Sequence, residues 1–431
     1  MAQLLWLTAL ARTRRLVLLF IACLTGTTAL AAQTHDSLWS ASWGSAQEQP
    51  YGTETLPAGT LDGNTLRQIV HLSTGGVALR VTLSNLFGAQ ALVINSVHVA
   101  RRASGGEAGA IDVATDRALT FSGHQKVTIP MGAEYVSDPA ALPTEPLTDL
   151  VVTMQIERAP AVLTLHAGAR ATSFLLQAPH VDTPKASAPQ EIYRWYFLSS
   201  VDVEPVHAAD LQSAVVAFGD SITDGHGATT NGNDRWPDDL ARRFAANKLT
   251  RSVGVVNAGI GGNRLLEDGI ATDGLARFDR DVLQHAGVRS VIVLEGINDI
   301  GVFGRAAEQP QAAHDALVEQ LEGAFMQMVM RAHTNGVRVF GGTLTPFVGN
   351  AYYHPDSRSE ADRTRLNEWI RHSGVFDGVI DFDAALRDPT HPERMLAAWD
   401  SGDHLHPGPT GYQRMADAIP LALFEPKPGM R

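Results

Sequence analysis

The stretch Val215-Val216-Ala217-Phe218-Gly219-Asp220-Ser221-Ile222 constrains the chain more than any other. Val215 to Phe218 is apolar without polar alternation, the pattern of a strand buried on both faces in a parallel sheet covered by helices. It stops abruptly in glycine, acid and serine. Gly219 permits a tight turn at the carboxyl end of the strand, Thr223-Asp224-Gly225 continues that turn, and a helix-like stretch follows from Pro237 to Asn247. The Ser221 hydroxyl would then face the crevice outside a sheet, where open α/β folds deliver chemistry. Gly-Asp-Ser is also ordinary turn and N-cap chemistry, so a role for Ser221 depends on what later strands bring to the same edge.

Four further runs are strand-like: Val253 to Val256, Val291 to Leu294, Val337 to Phe340 and Val379 to Phe382. Helix-like stretches alternate with them at Leu275 to Gln284, Gln311 to Thr334, Glu360 to His372 and Thr410 to Ile419, and Asn335-Gly336 supplies a helix stop. Five strands interleaved with helices describe a doubly wound α/β domain over residues 211–431.

The preceding part, 35–207, reads differently. Leu66 to Leu72 and Val77 to Leu83 flank Ser73-Thr74-Gly75-Gly76, which predicts a hairpin. Leu79, Val81 and Leu83 alternate with Arg80 and Thr82, as in a strand with one buried face. Further short strands are expected at Leu92 to Val99, Lys126 to Ile129, Leu150 to Ile156, Val162 to His166, Ser173 to Leu176 and Trp195 to Val203. Repeated short strands without a convincing helix indicate a β-sandwich or jelly roll. Pro179 to Pro189 is a loop, and the domain boundary is expected near Pro205 to Asp210.

A chain of 431 residues has room for two such domains. Its start resembles an export signal: Arg12, Arg14 and Arg15 precede the apolar run Leu16 to Leu24, and Ala29-Leu30-Ala31 offers a small-residue cleavage site. Thr25-Gly26-Thr27-Thr28 breaks the run well short of the roughly 20 residues that span a membrane. Residues 1–31 are therefore expected to be a signal peptide, the mature protein secreted or periplasmic, and no stable membrane anchor to remain. Losing the three leader arginines would take the net charge from −12 to −15, an acidic balance that argues against nucleic acid as a partner. The one cysteine, Cys23, lies in the leader, so the mature chain has no disulfide and no thiolate nucleophile.

Three blocks join Gly219-Asp220-Ser221-Ile222 at strand ends or after them: Asn257-Ala258-Gly259-Ile260-Gly261-Gly262-Asn263, Glu295-Gly296-Ile297-Asn298-Asp299 and Asp403-His404-Leu405-His406-Pro407. A serine is weakly nucleophilic at its own pKa, and a neutral histidine such as His406 can serve as its base. Asp403, three residues earlier, could hold the other imidazole nitrogen. His404 competes as the base, and taken alone this block also reads as a polar turn or a metal-binding loop.

In order, spacing and strand-end placement these blocks resemble the GDSL hydrolases of the SGNH superfamily, whose name lists Ser, Gly, Asn and His. The resemblance covers Ser213 to Leu423 and implies a flavodoxin-like α/β/α hydrolase domain needing no cofactor or metal. It places the base on His406, with Asp403 behind it, and the oxyanion hole on the Ser221 N–H, the Gly262 N–H and the Asn298 side chain. Gly262 suits that role because a backbone amide must approach without a side chain in the way, and Asn298 because an amide donates without titrating. The sequence departs in having Ile222 where the name expects leucine.

The β-rich part is similar to the domain that precedes the hydrolase in a branch of secreted acylhydrolases associated with plant polysaccharide breakdown, and Leu83 to Gly88 together with Arg277 to Leu283 of the hydrolase part resemble that branch. This resemblance implies a small-molecule or polysaccharide ester as substrate, with a carbohydrate O-acetyl or short-chain acyl or aryl ester favoured over a lipase-like one. Trp236, Tyr352 and Tyr353 are candidate pocket residues. Two other classes stand beside the esterase: a glycan-binding protein on a degenerate scaffold, and a metal-dependent phosphoesterase using Asp220, Asp224, Asp299, Asp403, His404 and His406.

Overall fold

The computed structural model describes residues 39–431 apart from 53–54, 106–108, 180, 186–188, 206–212, 306 and 426–431. The expected signal peptide and nearly all of the expected boundary lie outside the described residues.

The second half is built on five parallel strands in the spatial order Val253–Gly259, Ser213–Gly219, Val288–Leu294, Arg338–Gly342, Gly378–Ile380. From the first strand the chain moves one way to the second, then returns past the first to the third. That reversal opens a crevice beyond the carboxyl ends of Ser213–Gly219 and Val288–Leu294. Both strands are buried almost throughout, which is why each reads as an unbroken apolar run. The helices Trp236–Ala246, Gln311–Thr334, Ser357–His372 and Pro409–Ala418 complete the α/β domain. Leu275 to Gln284 is not one α-helix but an α-turn, Gly274–Phe278, followed by a π-turn, Asp279–Leu283. No helix among the described residues is long and apolar enough to cross a membrane.

The first half is antiparallel. One sheet runs Ser40–Gly44, Leu198–Glu204, Ala78–Ser84, Glu134–Val136. The other runs Gln190–Ile192, Ser173–Leu176, Thr65–His71, Asp149–Arg158, Leu92–Arg101, Arg117–Leu119, with Val127–Ile129 beside Leu92–Arg101. Leu79, Val81 and Leu83 from one sheet share a core with Leu66, Val70, Val152 and Met154 from the other. The expected hairpin is therefore corrected: Thr65–His71 and Ala78–Ser84 lie in opposite sheets. The turn residues between them carry the chain across the sandwich, with Ser73 N–H bonded to Ser42 O and Gly76 N–H to Thr144 O. Trp195 to Val203 is likewise two strands, broken at Phe197, whose φ of 59° cannot continue a ladder.

The described residues form one compact unit, in which the edge strand Ser40–Gly44 lies against Val253–Gly259. The approach is backbone to backbone. A Cβ on Gly254 would sit 2.0 Å from Ala41 O, so only glycine allows it. Ala41 N–H donates to Ala286 O, and Val255 N–H donates to Ser73 Oγ.

Candidate active site

Strand Ser213–Gly219 ends at Asp220, whose carboxylate accepts from Ile222 N–H at 2.9 Å and starts the single turn Ser221–Asp224. That turn points Ser221 Oγ at His406 Nε2, 2.8 Å away. His406 Nδ1 lies 2.6 Å from Asp403 Oδ2. The other oxygen of Asp403 accepts the N–H groups of Leu405 and His406, so one loop fixes acid and imidazole together. Partial burial works against the Asp403 charge, but the His406 ring and these amides outweigh it and hold the carboxyl well below its usual range. His404 lines the same cleft but bonds Asp400, through Nδ1, and not Ser221.

Around Ser221 are donors without acceptors. Among the described residues nothing takes the N–H of Ser221 or of Gly262. Gly262 has φ +69°, a conformation that disfavours a side chain, and a Cβ there would press on Ile270. Asn298 Nδ2 donates one hydrogen to Asn263 O at 2.7 Å, and its Oδ1 accepts from the Tyr353 hydroxyl. Those two bonds fix which way the amide faces and leave its second hydrogen over. Ser221, Gly262 and Asn298 line one broad cleft with His406 and Asp403.

Of the three candidate pocket aromatics, Tyr352 and Tyr353 line this cleft, and Tyr353 also orients Asn298. Trp236 is corrected. It is 0% exposed and packs on Phe382 in the hydrophobic core, as the first residue of the helix that covers the sheet. The six residues of the metal reading are not brought together. Asp220 caps Ile222, Asp224 pairs with His166, Asp299 accepts from Leu265 and Leu266 N–H, and His404 bonds Asp400. A different trio, His226, Asp403 and His406, has ligand atoms within 4.8 Å of one another, but both His406 nitrogens are already hydrogen-bonded.

Sequence reasoning passed over four residues that shape the site. His226 sits five positions past Ser221, with its ring centroid 4.1 Å from that of His406. Burial first, then the neighbouring His406, lowers its pKa, so it stands neutral beside the imidazole. Arg277, fully buried, donates to Gly219 O, Ala258 O and Glu295, tying together the ends of three strands. It lies in the stretch Arg277 to Leu283 that carried part of the resemblance. His166 and Arg170 come from the β-rich half. Despite burial, mutual attraction raises the His166 pKa and lowers that of Asp224, a buried ion pair 3.0 Å long just behind the serine turn. Arg170, Glu48 and Tyr51 line the same cleft.

Residues 217–414 match the family model described as GDSL-like Lipase/Acylhydrolase. No curated protein matches the chain. Among solved structures, a GDSL-like lipase from Bacteroides thetaiotaomicron is 18% identical, with 49% of this chain and 88% of that one covered at a TM-score of 0.36. Est24, a carbohydrate acetylesterase from Sinorhizobium meliloti, is 14% identical, with 48% and 96% covered at 0.37. At TM-scores below 0.5 these likenesses stop at resemblance.

Proposed function

We propose that this chain, which belongs through residues 217–414 to the GDSL-like lipase/acylhydrolase family and is an ester hydrolase, works through an acyl-enzyme on Ser221. The observation that carries the reading is the unbroken chain Ser221 Oγ, His406 Nε2, His406 Nδ1, Asp403 Oδ2 at the cleft floor. Ser221 Oγ attacks the ester carbonyl as its proton passes to His406 Nε2. Asp403 stabilises the imidazolium that forms. The tetrahedral oxyanion is met by the N–H groups of Ser221 and Gly262 and by the spare amide hydrogen of Asn298. His406 returns the proton to the departing alcohol, then takes one from water, whose attack on the acyl carbonyl releases the acid and restores Ser221.

The substrate we propose is a short acyl ester, foremost the O-acetyl group of a saccharide. Tyr51 at the cleft is 57% exposed and offers a flat face on which a sugar ring can stack. Ile270, Val302 and Leu405 give the cleft apolar side chains against which the acyl group can lie. Export through the arginine-led apolar segment at residues 1–31 belongs to the same proposal. The test compares hydrolysis of p-nitrophenyl acetate, butyrate and octanoate beside acetate release from acetylated xylan. The expected result is a preference for acetate together with xylan deacetylation. Preference for octanoate would replace this substrate by a lipid-like one.

A further inference from the structure

The loop that carries Arg170 into the cleft is fastened at nearly every residue. His166 bonds Ala46 O and Asp224, Ala167 N–H donates to Glu48, and Ala169 O accepts from Arg235. Arg170 O accepts from Asn231 N–H, and Thr172 N–H donates to Asn231 Oδ1. Between them Gly168 lets the loop close on Asp224, since a Cβ there would meet the carboxylate at 1.9 Å. Arg170 itself takes φ 47°, a left-handed conformation that a non-glycine residue keeps only where its surroundings impose it.

What this framework holds is a guanidinium with unused donors. Arg170 Nη2 is 3.4 Å from His226 Nδ1 and 3.9 Å from Asp224 Oδ2. Its Nε is buried without an acceptor. The acids lining the cleft are already engaged from within: Asp224 by His166, Asp403 by His406, and Glu48 by Ala167 N–H. The arginines are less so. Arg305 lies over the Tyr352 ring at 4.4 Å, with no carboxylate partner among the described residues. The formal charges lining the cleft balance, Arg170, Arg264 and Arg305 against Glu48, Asp224 and Asp403, and with Arg264 paired to Glu267 the donors least committed to the protein are those of Arg170 and Arg305.

We infer that the ester substrate carries a carboxylate and that Arg170 binds it, an inference that rests on the serine-esterase function above. A planar guanidinium fork matches a carboxylate with two parallel charge-assisted bonds, a geometry no neutral hydroxyl reproduces. Arg170 touches His226, His226 packs at a tilt against His406, and His406 bonds Ser221, so the bound carboxylate sits on the molecule being cleaved, near the scissile ester. An acidic sugar adjoining the acetylated one has this arrangement.

The experiment uses two matched pairs of esters. 4-Acetoxybenzoate against phenyl acetate places the charge on the leaving group; mono-p-nitrophenyl succinate against p-nitrophenyl butyrate places it on the acyl group. Wild type is expected to favour the anionic member of at least one pair by about tenfold or more in kcat/KM, and added salt should shrink that preference. Arg170→Gln should bring the ratio close to one, and Arg170→Lys should recover part of it. Absence of any preference in wild type, or its survival in Arg170→Gln, overturns the proposal. The salt dependence needs no variant, so it decides even where Arg170→Gln folds poorly. Failure of wild type to cleave any of the four esters would instead overturn the esterase reading on which the proposal stands.

Discussion

Asn298→Ala separates a catalytic role from a structural one, because the side chain is placed for both. Its recorded bonds are structural: Nδ2 donates to Asn263 O, and Oδ1 accepts from Tyr353, which is only 7% exposed. Truncation strands a buried hydroxyl and a buried carbonyl, at roughly 1–3 kcal/mol each. A melting temperature lower by several degrees is the expected consequence. The same change removes the one side-chain donor left over for the oxyanion, worth roughly 100- to 1000-fold in kcat, or about 2.7–4 kcal/mol. That donor acts only on the transition state, so KM should stay within about threefold. Steady-state kinetics on p-nitrophenyl acetate, measured well below the melting point, reads the two effects apart. Tyr353→Phe is the companion: it frees the amide to turn without removing it, and should lower kcat by about tenfold. If Asn298→Ala melts early but keeps kcat within about fivefold of wild type, the residue is a brace and the oxyanion assignment fails.

Two other perturbations test the frame around the site. Burial pushes the Asp220 carboxyl up to about 7, and its Oδ2 is buried without a partner. A folded-state pKa raised above the unfolded value of 3.8 gives stability that is full below about pH 4 and lost as pH rises through about 7. Three pH units correspond to about 4 kcal/mol, so Asp220→Asn should flatten the fall in urea-unfolding stability across that window by up to that amount; an unchanged slope contradicts the shift. Arg277→Met leaves Glu295 buried without its cation, leaves Asp281 with Arg280 alone, and unties the ends of three strands. It should cost roughly 3–5 kcal/mol in chemical denaturation, and a loss below about 1 kcal/mol would show that the network is dispensable.

The parts legible in the sequence are those whose signal is local. The central strands Ser213–Gly219 and Val288–Leu294 leave apolar runs because both their faces are covered, and all five observed strands overlap the runs read from the sequence. The loop with Asp403 and His406 was legible because acid and imidazole sit three residues apart in one turn. What escaped depends on which element meets which. Ser73 to Gly76 reads correctly as a turn, but no local pattern tells whether the next strand pairs with the last or crosses to the facing sheet. Trp236 and Tyr353 are both aromatics near the motifs, and only packing separates the core residue from the one that bonds Asn298. Arg170 and His166 gain their meaning from Asp224 and His226, which lie more than fifty residues away in the chain.

The most direct test of the central claim is intact-mass and peptide-mapping spectrometry of the protein quenched in acid during turnover of p-nitrophenyl acetate, with Ser221→Ala and His406→Ala alongside. The account predicts one acetyl group on the peptide containing Ser221 and none at that serine position in Ser221→Ala. His406→Ala should acylate far more slowly. An acetyl group carried by a different residue during turnover, or wild-type hydrolysis by Ser221→Ala, would contradict it.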